Sequence, residues 1–240
     1  MIEMGPTGVL FGVGIGPGDP ELLTLKAVRV IQRASTVVTP KSVGKPSLAR
    51  QVIESWVDQE KQELLEVGFP MQSGREHRVQ SRGGAGQQII QRLREGKDVA
   101  CVTVGDPLLY STFIHLFRHV IEALPHVAVE VIPGVTSITA CAAAAQIPLA
   151  CEDERIAILS ATDDLDDLDM MLDRFDCVVI LKASVALSRI IAALDKRGLR
   201  EQAVLVERCG TPDQRIIKRL QDLEGNTPSY FSTLIVRKSL

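Results

Sequence analysis

Aromatic side chains are scarce: one Trp, two Tyr and six Phe make up 4% of the 240 residues. So few rings give little material for the stacked platforms that grip single-stranded nucleic acid. Positive charge is not in excess. With 27 Lys and Arg against 30 Asp and Glu, the formal net charge is −3. That argues against a general polyanion binder while leaving room for a local basic patch, so no nucleic-acid partner is expected. Long apolar runs are missing as well. The run over 138–145, interrupted by Thr139, falls far short of the roughly 20 residues of a membrane span, and no membrane partner is expected. The first seven residues carry Glu3 and no Lys or Arg, unlike the basic opening of a secretory signal. Cys101, Cys141, Cys151, Cys177 and Cys209 contain no Cys-x-x-Cys pair. An odd set of widely spaced thiols is no disulfide framework; it reads as small buried hydrophobes in a reducing cytoplasm.

What remains is ordinary globular material. Hydrophobic residues make up 45% of the chain and charged residues 24%, enough apolar surface to offset the entropy of ordering. At about 150 residues per domain the length corresponds to roughly 1.6 domains. The periodicity predicts an α/β protein. Strands over 9–13, 36–38, 61–66, 98–104 and 128–132 alternate with helices over 21–32, 48–57, 87–95, 113–122 and 137–145. Such alternation implies a mainly parallel sheet with helices on its faces. The helix over 21–32 is expected to start at Asp19-Pro20, and 68–86 reads as a polar loop bearing Gly and Arg. After Pro148 the pattern restarts, with strands over 155–160, 177–182, 203–207 and 233–237. Helices are expected over 163–174, capped by Thr162, and over 185–197, while 214–220 is ambiguous. A boundary near 151–153 then divides an N-terminal α/β domain, 1–152, from a C-terminal α/β domain, 153–240.

Three glycine-bearing turns follow strands in the first half. The first, Gly12-Val13-Gly14-Ile15-Gly16-Pro17-Gly18-Asp19, is no dinucleotide fingerprint. That motif needs glycines at i, i+2 and i+5, and starting from Gly12, Gly14 or Gly16 the last position is Pro17, Asp19 or Glu21. A P-loop fails for want of Gly-Lys-Ser/Thr. Alternate glycines do allow a ligand close to the backbone at a strand's carboxyl end. The second turn is Gly105-Asp106-Pro107 and the third Pro133-Gly134-Val135-Thr136-Ser137. Any one of them could be purely structural, but three at carboxyl ends of parallel strands point to a single pocket.

The string Val13-Gly14-Ile15-Gly16-Pro17-Gly18-Asp19-Pro20-Glu21-Leu22-Leu23-Thr24-Leu25-Lys26-Ala27 resembles the opening of the tetrapyrrole methylases. Val104–Pro107, Pro133–Ser137, Ile147-Pro148-Leu149, Val206–Thr211 and Pro228–Val236 are similar to further motifs of that family, in the right order. The resemblance covers the whole chain. It implies an S-adenosylmethionine-dependent enzyme of two α/β domains, with a mainly parallel N-terminal sheet, a mixed C-terminal sheet and the cofactor in the cleft between them. Within the family, Gly105–Phe113, Pro133–Ser137 and Tyr230–Thr233 are similar to the branch that methylates carbon 20 of precorrin-2 or cobalt-factor II. Val102-Thr103-Val104 departs from that branch, where a more acidic approach is expected. The alternatives are another member, such as a uroporphyrinogen-III C-methyltransferase, or a non-catalytic nucleotide-binding module.

By position the resemblance implies cofactor contacts at Pro17, Gly105, Asp106, Leu109, Thr136, Ser137, Lys182 and Gly210. Lys182 falls where relatives offer mainly backbone. Asp106 is expected near the cofactor's cationic region, an attraction of roughly 1–4 kcal/mol at 4 Å depending on screening. The methyl group arrives already activated and leaves S-adenosylhomocysteine, so alignment with the tetrapyrrole's meso carbon is the protein's main contribution, about 7–11 kcal/mol. Tyr110 is a candidate to take the proton that departs. The tetrapyrrole carries many carboxylates, and Arg75, His77, Arg78 and Arg82 in the 68–86 stretch are expected to grip them as a mobile lid. Relatives are commonly homodimers. No protein-bound metal is expected: His115 and His119 lack the zincin Glu and a third ligand, and Asp163–Asp169 lacks the pattern of a calcium loop. Any cobalt belongs to the substrate.

Overall fold

A computed structural model describes residues 7–41, 47–68, 75–162, 165–223 and 227–238, with the side chains of 75–83 and 85 outside the description. Five strands form the first sheet: β1 (Leu10–Gly14), β2 (Thr36–Lys41), β3 (Glu63–Gly68), β4 (Val99–Thr103) and β5 (Val129–Ile132). Their order is β3-β2-β4-β1-β5 and every pairing is parallel. β1 and β4 are buried at all five positions, as continuous apolar strands covered on both faces must be. Alternate side chains serve opposite faces. Phe11 and Val13 join Ile31 of α1 (Leu25–Arg33) and Ile53 of α2 (Leu48–Ile53). Leu10 and Cys101 join Ile90 and Leu93 of α3 (Arg75–Arg94) with Phe113 and Val120 of α4 (Phe113–Ala123).

Several helix boundaries depart from expectation, and the helix expected over 48–57 gives way to a 3-10 turn after Ile53. Asp19 Oδ1 accepts from Glu21 N–H at 2.8 Å, but this starts only a 3-10 turn, Pro20–Leu22. The α-helix is capped five residues later, where Thr24 Oγ1 accepts from Ala27 N–H at 3.1 Å. The expected polar loop over 68–86 is corrected more substantially: from Arg75 onward it is the first half of α3, while 69–74 lie outside the described residues. Gly86 explains part of this. A Cβ there would overlap the His119 ring, so glycine lets α3 and α4 approach closely.

The second sheet is mixed, as expected. β6 (Ile156–Ser160), β7 (Cys177–Leu181), β8 (Ala203–Glu207), β9 (Arg215–Ile217) and β10 (Ser232–Arg237) lie in the order β6-β7-β10-β8-β9. Only β6 and β7 pair in parallel. Of the ambiguous 214–220, Arg215–Ile217 is a strand and Leu220 opens a 3-10 turn. The helix expected over 163–174 is shorter: α6 is Leu168–Arg174, and Thr162 Oγ1 pairs with Ser160 Oγ at 2.8 Å instead of capping it. α7 is Leu187–Asp195. The chain divides into two compact units, Met1–Val135 and Thr136–Leu240, ahead of the boundary expected after residue 152. The reason is α5 (Ser137–Ala145), which buries Ile138, Cys141 and Ala145 and contacts β8 and β10 of the second unit.

Candidate functional site

In the first unit, the turns after β1, β4 and β5 form a closely packed crown at the sheet's carboxyl edge. Neighbouring strand order makes this possible, because β1 lies between β4 and β5. Gly105 N–H donates to Gly16 O at 2.7 Å, an isolated bridge joining the first two turns. A Cβ at Gly14 would stand 2.5 Å from Gly134 N and 2.7 Å from Gly105 O. One at Gly134 would overlap Gly105 O and lie 2.8 Å from Gly14 Cα. Glycine is therefore required at both positions by backbone-to-backbone contact. Gly105 differs. Its φ is +76°, yet nothing lies within 4 Å of where its Cβ would be. Gly105 is itself buried, and the space left beside its backbone is the feature a ligand can use.

Asp106 joins the second and third turns. Its Oδ1 accepts from Leu108 N–H at 2.9 Å and its Oδ2 from Gly134 N–H at 3.1 Å. Both carboxylate oxygens thus hold backbone amides, which the sequence does not reveal because Gly134 is 28 residues away. Pro17 is buried, Leu109 half-buried and Tyr110 44% exposed. Tyr110 holds φ 49°, a left-handed conformation that non-glycine residues adopt at a cost and that clusters at functional sites. Leu108, its neighbour, is 58% exposed. Pro17, Gly105, Asp106, Leu109 and Tyr110 thus fall on two adjoining turns of one unit.

The other expected contacts lie in the second unit. Thr136 caps α5, its Oγ1 accepting from Thr139 N–H at 3.3 Å, and Ser137 opens that helix. Lys182 follows β7 with φ 56°, its Nζ 5.9 Å from the centroid of the Tyr230 ring. Burial pushes the Tyr230 hydroxyl's pKa up. Gly210 follows β8 with φ 76°, and its N–H donates to Gln214 Oε1 at 2.8 Å. Sequence reasoning gave no individual role to Glu207, a buried carboxylate ending the otherwise apolar β8. Its Oε1 accepts from Ser229 N–H, and its Oε2 lies 3.2 Å from Arg215 Nη1. An acid closing an apolar strand was the available signal.

Arg75, His77, Arg78 and Arg82 belong to α3, and their side chains lie outside the described residues. His119 packs against Gly86 with its Nε2 buried. Among the described residues no group of three or more His, Cys, Asp or Glu is placed to hold a metal ion. None of their helices is long and apolar enough to cross a membrane.

A family model described as Tetrapyrrole (Corrin/Porphyrin) Methylases matches residues 9–224. A Salmonella typhimurium protein named cobalt-precorrin-2 C(20)-methyltransferase is 30% identical over 233 residues, spanning 96% of this chain and 97% of the relative. A Mycobacterium tuberculosis protein named cobalamin biosynthesis protein CobIJ is 32% identical over 237 residues. That match takes in 95% of this chain and 46% of the relative, so the chain spans about half the length of that protein. The solved structure of uroporphyrin-III C-methyl transferase from Thermus thermophilus complexed with S-adenyl homocysteine is 24% identical, with a TM-score of 0.71 over 96% of this chain and 98% of that one. At that identity the likeness is one of fold.

Proposed function

The chain belongs to the tetrapyrrole methylase family, and from that membership we propose that it transfers the methyl group of S-adenosylmethionine to carbon 20 of precorrin-2 or cobalt-factor II, within cobalamin biosynthesis. The observation that carries the substrate is the end-to-end match, 96% of this chain on 97% of the Salmonella protein of that name. The crown fits the cofactor: backbone is approachable at Gly105, and no phosphate-binding fingerprint is needed for a ligand without phosphate. When bound, S-adenosylmethionine supplies an activated methyl on a cationic sulfur, leaving S-adenosylhomocysteine.

The chain's own residues then bind and orient. Pro17, Gly105 and Leu109 hold the cofactor through backbone and apolar contact, and Asp106 keeps their turn in place. Thr136, Ser137, Lys182 and Gly210 are assigned to the same cofactor on the resemblance. Tyr110, exposed and strained beside the Gly-Asp-Pro turn, is the group assigned to receive the proton leaving carbon 20. Arg75, His77, Arg78 and Arg82 are assigned to the substrate's carboxylates, now as one stretch of α3 instead of a loop. Alignment of methyl and carbon is worth about 7–11 kcal/mol of barrier. The reading includes a cytoplasmic homodimer whose partner is the small tetrapyrrole and not nucleic acid, supported by the resemblance and by the lack of basic excess.

Incubation with methyl-labelled S-adenosylmethionine and either tetrapyrrole, followed by mass spectrometry and mapping of the methyl position, tests it. Label at carbon 20 is expected. Label only on uroporphyrinogen III moves the protein to another branch. Calorimetry showing tight NAD binding and none for S-adenosylmethionine ends the methylase reading.

A further inference from the structure

We propose that Asp106 is a positioning residue for methyl transfer: its carboxylate ties the β4 turn to the β5 turn and is not the counter-ion of the cofactor's cationic sulfur. The proposal rests on the methyltransferase reading above. It replaces the direct charge contact expected from sequence with a role acting through the backbone.

Three observations support it. Both carboxylate oxygens are engaged by amides, Oδ1 by Leu108 N–H at 2.9 Å and Oδ2 by Gly134 N–H at 3.1 Å. Charge-assisted bonds of this kind hold an acceptor's direction better than neutral ones. Second, the joint lies where the crown has no slack. Gly134 is walled by Gly105 O and by Gly14 Cα, so any lateral drift of the β5 turn meets backbone. The Gly105 N–H to Gly16 O bond, 2.7 Å, closes the same turn against the turn that follows β1. Asp106 and that bond therefore tie the β4 turn to both of the other turns of the crown. Third, the residues that follow depend on this fixing. The Leu108 amide bond bends the chain immediately ahead of Leu109 and Tyr110, and Tyr110 is held at φ 49°. Side-chain bonding to an amide two residues on is how Asp imposes such turns.

Residue chemistry explains the choice. Only a short side chain with two acceptor oxygens can serve both amides; Asn has a single acceptor oxygen, and Glu is one methylene longer. Losing the carboxylate should therefore misplace Leu109 and Tyr110 together. It should weaken cationic and neutral cofactor forms alike, because the lost element is geometry and not charge.

The test compares Asp106→Asn and Asp106→Ala with the unaltered chain. Dissociation constants are measured for S-adenosylmethionine, whose sulfur is cationic, and for S-adenosylhomocysteine, whose sulfur is neutral. Steady-state rates on cobalt-factor II and hydrogen exchange at the Leu108 and Gly134 amides complete the set. For Asp106→Ala both ligands should weaken by the same factor, about tenfold, the equivalent of one charge-assisted hydrogen bond. Asp106→Asn, keeping one acceptor, should fall between. The kcat should drop further than the substrate KM rises, and both amides should exchange faster while far-ultraviolet circular dichroism stays native. Selective loss of S-adenosylmethionine binding would place the carboxylate against the sulfur and overturn the proposal. Unchanged amide exchange and unchanged kcat in folded Asp106→Asn would overturn it too. An unaltered chain that binds neither compound refutes the methyltransferase reading and this role with it, whereas a shifted affinity ratio refutes the role alone.

Discussion

Gly134→Ala isolates the packing of the crown from its openness to ligand. The new Cβ would overlap Gly105 O and stand 2.8 Å from Gly14 Cα, well inside the 3.5–4.0 Å at which carbon atoms rest. The three nearest atoms are all backbone, so no rotamer change relieves the clash, and the turns must separate by about 1 Å. Separation on that scale breaks the Gly105 N–H to Gly16 O bond and the Gly134 N–H to Asp106 Oδ2 bond, now 2.7 and 3.1 Å. With about 1 kcal/mol for the neutral bond and about 2 for the charged one, the loss is about 3 kcal/mol. For a chain of this size the melting temperature should fall by roughly 6–12 °C.

Gly105→Ala serves as the contrast. It meets no atom within 4 Å but sits at φ +76°, so it should lose only about 1–2 kcal/mol through left-handed strain. Its methyl group would nevertheless occupy the proposed approach to the backbone, so cofactor affinity should fall out of proportion to stability. Gly68→Ala, with open space and no left-handed requirement, should be neutral or gain about 0.5 kcal/mol. Scanning calorimetry, with titration of S-adenosylmethionine into each variant, reads all three. A Gly134→Ala protein melting within about 2 °C of the unaltered chain, or a reversed order of stability, would refute the crown as a close-packed joint.

Glu154 accepts from Arg237 Nη2 at 2.8 and 2.7 Å, and that hydrogen bond, with the Cys151 amide, holds its carboxyl below the usual range. A depressed folded value means the contribution is complete above the unfolded value of about 4.3 and is lost as pH falls through the folded one. Thermal scans of Glu154→Gln should therefore lie below the unaltered chain at neutral pH and converge with it on acidification below about pH 4.3; parallel curves would sink the pairing. Burial pushes the Cys101 thiol up to about 12 and the Cys177 thiol to about 11, and Cys141 is held protonated as the donor to Cys209. Iodoacetamide at neutral pH should then label the exposed Cys151 first, with peptide mapping as the check; early labelling of Cys101 would contradict the burial. Combined Arg75→Ala, Arg78→Ala and Arg82→Ala should raise the tetrapyrrole KM about tenfold and leave S-adenosylmethionine affinity unchanged. An unchanged KM would remove these cations from the substrate's site.

Strand positions were legible wherever an uninterrupted apolar run met a turn residue. β1 and β4 are of this kind, fully buried, and their glycine-bearing exits located the crown in advance. Helix starts were less legible when two caps competed. Asp19 and Thr24 both accept from amides in their own turns, and only the three-dimensional path makes the first a 3-10 turn. The 68–86 stretch misled for a different reason. Its glycines lower local helix preference, but contact between Gly86 and His119 belongs to helix packing, which no local window contains. The role of Asp106 was hidden in the same way. A Gly-Asp-Pro turn announces a carboxylate near a ligand, while the amide that occupies it comes from another strand's exit.

That occupancy bears on why the fold takes one class of nucleotide-derived cofactor and not another. A dinucleotide site offers free backbone amides to a pyrophosphate at the strand's carboxyl end. Here the Gly134 and Leu108 amides already face the Asp106 carboxylate, and the Glu21 amide faces Asp19. A phosphate arriving at this crown would lose those donors and meet negative charge instead, a repulsion of about 4 kcal/mol per charge at 4 Å and intermediate screening. A cofactor with a cationic sulfur and no phosphate meets no such barrier. That repulsion acts on a group placed at the amides themselves, and the sulfur needs no contact with either carboxylate. Asp106 thus acts on position through the amides it binds, and by occupying them it keeps phosphate away. The two effects separate on titrating NAD, which should remain excluded in Gly105→Ala and gain measurable affinity only in Asp106→Ala.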